Sequence, residues 1–268
     1  MPRGLLILKK RETYLDNVKV LVASHKKAEM PSNELYMPIL VGSYKNYQED
    51  INYQRDDVGE NISEKNPNYN ELTAIYWAWK NMGNAEAVGL VHYRRLFVKN
   101  KTELLSQEDI EKSFETYDVI LPKLRKYYVE TNYLHYIHAH NEEPLMMTRR
   151  IIEKYHNSYL SSFDTVMNST SAHMFNMFIM KPKIFNSYCE WLFDILKKLE
   201  ENIYVEDYSE QESRVFGYVS EVLMDVWIKK NNINYCEHDW MQVNGEKKLT
   251  KAMHLILRKF GLSKRTHF

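Results

Sequence analysis

Apolar and polar positions along this chain alternate between two rhythms. Val18-Lys19-Val20-Leu21-Val22-Ala23-Ser24 is a β-branched run ending on polar residues, the pattern of a buried strand in an α/β sheet. Pro38 to Gly42 reads as a second strand, and Tyr44 to Asn70, polar and aperiodic, as a long ordered loop or a flexible lid. Leu72, Ile75, Tyr76 and Trp79 recur at i, i+3, i+4 and i+7, which predicts a helix from Tyr69 to near Gly83. Ala87 to Tyr93 is the next strand. A helix starts near Ser106, with Glu108 and Asp109 in its first turn, and leads to a strand at Asp118 to Pro122. A tyrosine- and histidine-rich connection (Tyr127 to Asn141) and one or two helices (about Glu143 to Met167) precede a strand at Met174 to Met180. Helices at Ile184 to Leu199 and Glu210 to Lys230, then a short strand at Ile233 to Cys236, complete the series.

Strands alternating with helices predict an α/β fold with a mostly parallel central sheet flanked by helices. No internal repeat, low-complexity tract or Pro/Gly linker divides it, so one domain plus a C-terminal appendage is the economical organisation. A compact chain of 268 residues buries roughly 75% of the surface its unfolded form exposes, enough for a core without disulfide or metal staples. Cys189 and Cys236 stand outside any CxxC pattern and read as idle thiols in a reducing compartment. Gly4 to Leu8 is too short for a signal sequence, and no segment approaches the roughly 18 apolar residues of a membrane span, so a cytosolic location is expected.

Charge changes this picture. The chain carries 36 Lys and Arg against 36 Asp and Glu, yet seven of the basic residues and no acid fall between Lys247 and Phe268. The rest is acidic, 29 against 36. Leu249, Met253, Ile256 and Phe260 recur at helical spacing in this tail while Lys247, Lys251, His254 and Arg258 recur on the opposite side. Such a basic amphipathic helix suits an anionic membrane surface, or else packs on the core with a solvated basic face. An acidic body argues against nucleic acid as a partner, because phosphate-driven binding needs a basic face larger than one helix. Twenty tyrosines favour a carbohydrate site slightly.

No P-loop, Gly-rich dinucleotide fingerprint, GxSxG elbow or HExxH is present, which removes support for most cofactor enzymes. Polar clusters at strand ends remain, where open α/β sheets place their ligands. His92-Tyr93-Arg94-Arg95 offers two guanidinium groups suited to phosphate, or to structural ion pairs. Asp56-Asp57 could hold a divalent metal, but the spacing matches no standard site. Lys65-Asn66 precedes a helix start that could face an anion. His135, His138 and His140 form an HxxHxH run, read as hydrogen-bonding or substrate-touching imidazoles rather than metal ligands. Arg214, Gly217 and Glu221 share a helix face. Arg214 could steady a diphosphate and Glu221 act as general base, or the two form a structural pair.

The segments Asn61-Ile62-Ser63-Glu64-Lys65-Asn66, Tyr69 to Thr73, Tyr76 to Asn81, Gly89 to Arg95, Phe175 to Met180 and Arg214 through Glu221 together resemble a bacterial family long labelled a domain of unknown function. Its members are described as capsular or exopolysaccharide glycosyltransferases, some implicated in galactofuranosyl transfer. The resemblance covers about residues 18 to 240, leaving 1–17 as an N-terminal extension and 247–268 as the basic tail. One departure stands out. The family's acid-Leu pair after the histidine near His140 is replaced by Pro144-Leu145, with Glu142 and Glu143 the nearest acids.

The resemblance implies a GT-A-like fold, in which an Asp-x-Asp pair at a strand end usually holds Mn²⁺ or Mg²⁺ on the donor diphosphate. The corresponding position here reads His92-Tyr93-Arg94-Arg95, so guanidinium charge is expected to replace the metal, with Mn²⁺ or Mg²⁺ the alternative. Donor binding then falls to Ser24, His25, Asn61, Lys65, Asn66, His92, Tyr93, Arg94, Arg95 and Arg214. Acceptor binding falls to His140, His173 and Asn176, and general-base catalysis to Glu221. The implied reaction moves a hexose, a galactose form among the options, from a UDP-sugar to a lipid-linked oligosaccharide on the inner face of the bacterial cell membrane. A noncatalytic glycan-binding or assembly protein at the membrane surface is the competing reading.

Overall fold

The computed structural model describes residue 15 and residues 17–243. Most of the N-terminal extension and the whole basic amphipathic tail therefore lie outside the described residues. In chain order the elements are β1 (Val18–Ser24), β2 (Tyr36–Leu40), α1 (Ser43–Asn46), β3 (Gln54–Arg55), α2 (Asn66–Tyr69), α3 (Leu72–Asn81), β4 (Ala87–His92), β5 (Arg95–Val98), α4 (Gln107–Phe114), β6 (Val119–Pro122) and β7 (Arg125–Lys126). The second half adds α5 (Asn132–Ala139), α6 (Glu142–Tyr155), α7 (Leu160–Asn168), β8 (Ser171–Ala172), β9 (Phe178–Met180), α8 (Pro182–Glu200), α9 (Val215–Lys230) and β10 (Tyr235–Gln242).

Side-chain alternation along the strands divides the apolar residues between two faces of the main sheet. Leu21, Ala23, Val88 and Leu90 meet the larger core, built with α3 and α5 to α9. Val20, Val22, Ala87 and Val91 meet the smaller one, closed by α4. Ser106 and Asp109 start α4 with reciprocal side-chain to backbone hydrogen bonds, the capping signal visible in the sequence.

The expectation of a mostly parallel sheet is corrected: the sheet is mixed. Strands β3, β2, β1 and β4 are parallel, and β10 runs parallel to β6, but β5 and β9 are antiparallel to β4. Connection length explains the reversal. Only Tyr93 and Arg94 separate β4 from β5, and two residues can join antiparallel strands but not parallel ones. β9 lies against the first half of β4, where Gly89 makes room: a Cβ there would sit 2.9 Å from Ile179 Cγ1 and 3.0 Å from the Phe178 carbonyl. β10 is longer than the expected Ile233 to Cys236 strand and lies between β5 and β6.

The polar stretch after β2 is ordered around one carboxylate. Asp56 is fully buried and accepts hydrogen bonds from Gly42 N (2.8 Å), Ser43 N (2.9 Å), Ser63 Oγ (2.6 Å) and Thr73 Oγ1 (2.6 Å). Asp57 is engaged by Arg55, Nε to Oδ1 at 2.9 Å and NH2 to Oδ2 at 2.6 Å. The adjacent aspartates thus anchor the loop rather than form a metal pair. Each Asp56 oxygen takes one backbone N–H, so an amide in either orientation would press its NH₂ against an N–H. Asp56→Asn is therefore expected to destabilise the protein by about 3 kcal/mol, read as a lower urea midpoint.

Candidate active site

A cleft of about 660 Å³ opens at the carboxyl ends of β1, β2 and β4. The chain leaves β1 toward β2 on one side and returns as β4 on the other, so the cleft sits at a topological switch point of the sheet. Ser24 and His25 border it from the end of β1, and His92, Tyr93, Arg94 and Arg95 from the β4–β5 turn. Asn66, Asn70 and Glu71 border it around α2 and the start of α3, and Arg214 does so just before α9. Tertiary structure thus brings together eight of the residues expected at the donor site.

This end of the cleft is cationic. Burial lowers the His25 pKa, helped by the charges of Lys26, Arg94 and Arg214. Arg214 is held by a 2.8 Å bond from its Nε to Asn70 Oδ1, and Asn70 in turn accepts from Asn66 Nδ2 at its carbonyl (2.8 Å). Gly217 allows this approach, since a Cβ there would lie 2.6 Å from Asn70 Nδ2. Arg95 is half-buried, and neither its Nε nor the Tyr93 hydroxyl has a hydrogen-bond partner. Burial pulls the Arg95 pKa down against the opposing pull of Glu221 and Glu71.

Beside the arginines the backbone turns through two consecutive left-handed residues, Phe175 (φ 78°) and Asn176 (φ 52°). A bulky aromatic in this region is strained by about 1–3 kcal/mol, so surrounding contacts must hold it. His92 Nε2 meets the Phe175 carbonyl at 2.6 Å, and burial keeps the His92 pKa low, so the neutral ring donates from Nε2. The Phe175 N–H acts on the Glu221 carboxylate to hold its pKa down. Arg95 lies 4.2 Å over the Phe175 ring, whose edge meets Trp240. Asn176 is buried; it donates to Glu71 Oε1 (2.7 Å) and the Gly217 carbonyl (3.2 Å) and accepts from Ser220 Oγ (2.9 Å). One turn therefore engages a carboxylate, an imidazole and a guanidinium.

Glu221 borders a small adjoining cavity together with His140, Tyr127, Tyr136 and Tyr218. His140 stacks on Tyr218, ring centroids 3.8 Å apart. Burial, reinforced by the charge of Glu71, raises the Glu221 pKa to about 7, against the pull of the Phe175 N–H, Arg95 and Arg125. A carboxyl poised there suits proton transfer near neutral pH.

Other expected site residues lie elsewhere. Lys65 points to α8, with Nζ 2.6 Å from Glu200 Oε2, and Asn61 bonds the Asp57 and Gly59 carbonyls within its own loop. Neither borders the cleft. His173 sits in a separate cavity, with Nδ1 2.5 Å from Asp225 Oδ1. The HxxHxH run is split: His135 and His138 both face Glu130 from α5, whereas His140 faces Tyr218. Glu142 and Glu143 are exposed at the start of α6, where they accept hydrogen bonds from Tyr133 and Tyr208.

A family model described as a domain of unknown function, DUF4422, matches residues 19–232. The chain belongs to this family. Among solved structures, that of the WbbM bifunctional glycosyltransferase in its apo form is similar, with a TM-score of 0.79 and 31% identity. The likeness covers 87% of this chain and 46% of that one, so the chain spans less than half the length of the structure it matches. No curated protein sequence matches the chain.

The end of β4 does not fit a divalent cation: it carries guanidinium groups, and among the described residues no three His, Cys, Asp or Glu side chains could together hold a metal ion. No motif along the chain assigns Glu71 or Phe175 a chemical role. Glu71 precedes the first turn of α3, and no local pattern marks its role or the left-handed conformation of Phe175. The raised pKa has a stability consequence. The Glu221 carboxyl titrates near 4.5 when unfolded and near 7 when folded, so its favourable contribution is complete below the first value and lost as pH rises through the second. Glu221→Gln, which cannot ionise, is expected to melt above the parent at about pH 8, with the gap closing toward about pH 5, in scanning calorimetry.

Proposed function

We propose that this protein is a glycosyltransferase that binds a nucleotide-sugar in the cleft at the ends of β1, β2 and β4. The observation that carries the reading is the convergence of Arg94, Arg95 and Arg214 on that cleft together with the carboxylate Glu71, with Glu221 bordering the adjoining cavity. The likeness to WbbM, itself a bifunctional glycosyltransferase, supports it. The donor is a UDP-sugar carrying a hexose, a galactose or galactofuranose unit being the family-based choice. The acceptor is a lipid-linked saccharide of capsule, exopolysaccharide or lipopolysaccharide synthesis at the inner face of the cell membrane. Within the GT-A-like reading, the basic tail from Lys247 to Phe268 is the anchor to that anionic surface. Among the described residues no helix is long and apolar enough to cross a membrane.

In this reading the diphosphate lies against Arg94, Arg95 and Arg214, and Ser24 and His25 border the nucleotide. Transfer breaks the bond between the anomeric carbon and the terminal phosphate oxygen, and the electron pair leaves with the nucleoside diphosphate. Fixed guanidinium charge stabilises that departing anion in place of a metal ion. The acceptor hydroxyl arrives from the side of His140 and Glu221, bonds the anomeric carbon, and gives its proton to the Glu221 carboxylate. Asn176 acts indirectly, holding Glu71 toward the sugar.

UDP release from a UDP-hexose, with and without a lipid-linked acceptor, tests the reading; no release with any UDP-hexose would leave only a noncatalytic glycan-binding protein. Arg94→Ala with Arg95→Ala is expected to weaken UDP binding by about tenfold or more in calorimetry, and activity is expected to survive EDTA. Loss of activity in EDTA restored by Mn²⁺ would replace the arginine account with a metal one. The acid limb of kcat/KM should have its midpoint near pH 7, the value set for Glu221, with activity rising as pH increases. In Glu221→Gln that limb should vanish and the rate fall by about 10²–10⁴-fold.

A further inference from the structure

A nucleotide-sugar whose diphosphate lies on Arg94, Arg95 and Arg214 can run across the cleft in one direction only. Its sugar must face Glu71 in the cleft and Glu221 in the adjoining cavity, where the carboxylates are. On the β5 side of the arginine turn, Phe175 and Trp240 take up the space: Arg95 lies 4.2 Å over the Phe175 ring, and Trp240 meets that ring edge-on. The nucleoside therefore trails the other way, across the end of β1 toward the end of β2. Only β1 separates β2 from β4, so their ends lie about 10 Å apart at the usual strand spacing. An extended nucleotide spans a distance of that order between its base and its diphosphate.

Tyr44 stands at that far wall. It follows β2 as part of α1, borders the cleft and is 47% exposed. Among the described residues no ring, cation or hydrogen-bonding group engages its side chain. The other aromatic groups of the cleft are already engaged. Tyr93 meets the His25 ring edge-on with centroids 5.8 Å apart and has Arg94 5.0 Å over its face, and His92 is bonded to the Phe175 carbonyl.

The backbone that carries Tyr44 is held on both sides. Before it, Gly42 and Ser43 give their N–H groups to the buried Asp56, and Ser43 Oγ donates to the Leu40 carbonyl at 2.6 Å. After it, Asn46 Nδ2 donates to the Val41 carbonyl at 2.9 Å. An exposed ring on a fixed backbone gives up little freedom when a flat ligand covers it, which suits it to stacking. A nucleobase offers such a face whatever its hydrogen-bonding pattern. The acceptor glycan is not the partner here, because the cavity bordered by Glu221 and His140 includes no residue from the end of β2.

We propose that Tyr44 is the stacking platform for the donor's nucleobase, so that the end of β2 grips the base while the β4–β5 turn grips the diphosphate. The proposal rests on the donor-cleft reading and names the residue that distinguishes a nucleotide from a bare diphosphate.

Calorimetry on the full chain with two probes, UDP and inorganic pyrophosphate, tests it. Tyr44→Ala is expected to weaken UDP binding by about tenfold and to leave pyrophosphate affinity unchanged. Tyr44→Trp, which restores an aromatic face, should recover most of the loss. Arg94→Ala with Arg95→Ala should give the other pattern and weaken both probes. UDP affinity unaltered in Tyr44→Ala, or an equal loss for both probes in that variant, would overturn the proposal and leave the arginine assignment standing. A parent protein that binds neither probe would overturn the donor-cleft reading, and the proposal with it.

Discussion

The left-handed turn at Phe175 and Asn176 is the constraint on which the candidate active site depends. Its backbone conformation is costly for Phe175, and it persists because three other elements engage the turn: His92 from β4, Gly217 and Ser220 from α9, and Glu71 from the start of α3. The same contacts run in the other direction. By holding the turn, these side chains are themselves fixed, and Arg95 is stacked on the Phe175 ring between two carboxylates. Strain in the backbone and order in the site are one arrangement.

A second anchor, Asp56, organises the opposite wall. Its four hydrogen bonds draw the end of β2, the turn at Ser63 and the first turn of α3 onto one buried carboxylate. Thr73 continues the network to Asn66, Asn66 to Asn70, and Asn70 to Arg214. The charged arginine at the cleft is thus braced by neutral amides rather than by a carboxylate, which leaves its charge uncompensated for an anionic ligand. Glu71 in the same cleft and Glu221 in the adjoining cavity offset the charge of Arg95.

Much of the scaffold was legible because it is written in local pattern. β1 occupies the β-branched run, α3 follows the Leu72–Trp79 periodicity, and α4 starts at its Ser106 cap. Elements defined by partners were not legible in that way. β10 has a polar, half-exposed sequence and becomes a strand because β5 and β6 offer hydrogen-bonding edges on both sides. The run from Met174 to Met180 reads as one apolar strand, yet only Phe178–Met180 pairs, since the preceding residues are claimed by the turn. α5 formed within a stretch whose tyrosines and histidines gave no clear period.

The site divides along the same line. Sequence alone determined the residue types gathered at the end of β4 and the absence there of a metal-binding acid pair, because strand ends and short motifs are local properties. It could also place Arg214 and Glu221 on one helix face. Only tertiary structure decided that Lys65 turns to Glu200, that His173 belongs to another cavity, and that Glu71 faces Arg95. It also decided the sheet's mixed direction and the raised pKa of Glu221, which come from connection geometry, burial and a neighbouring charge far away in sequence. Distances between residues a hundred positions apart are fixed by packing, and no pattern along the chain encodes them.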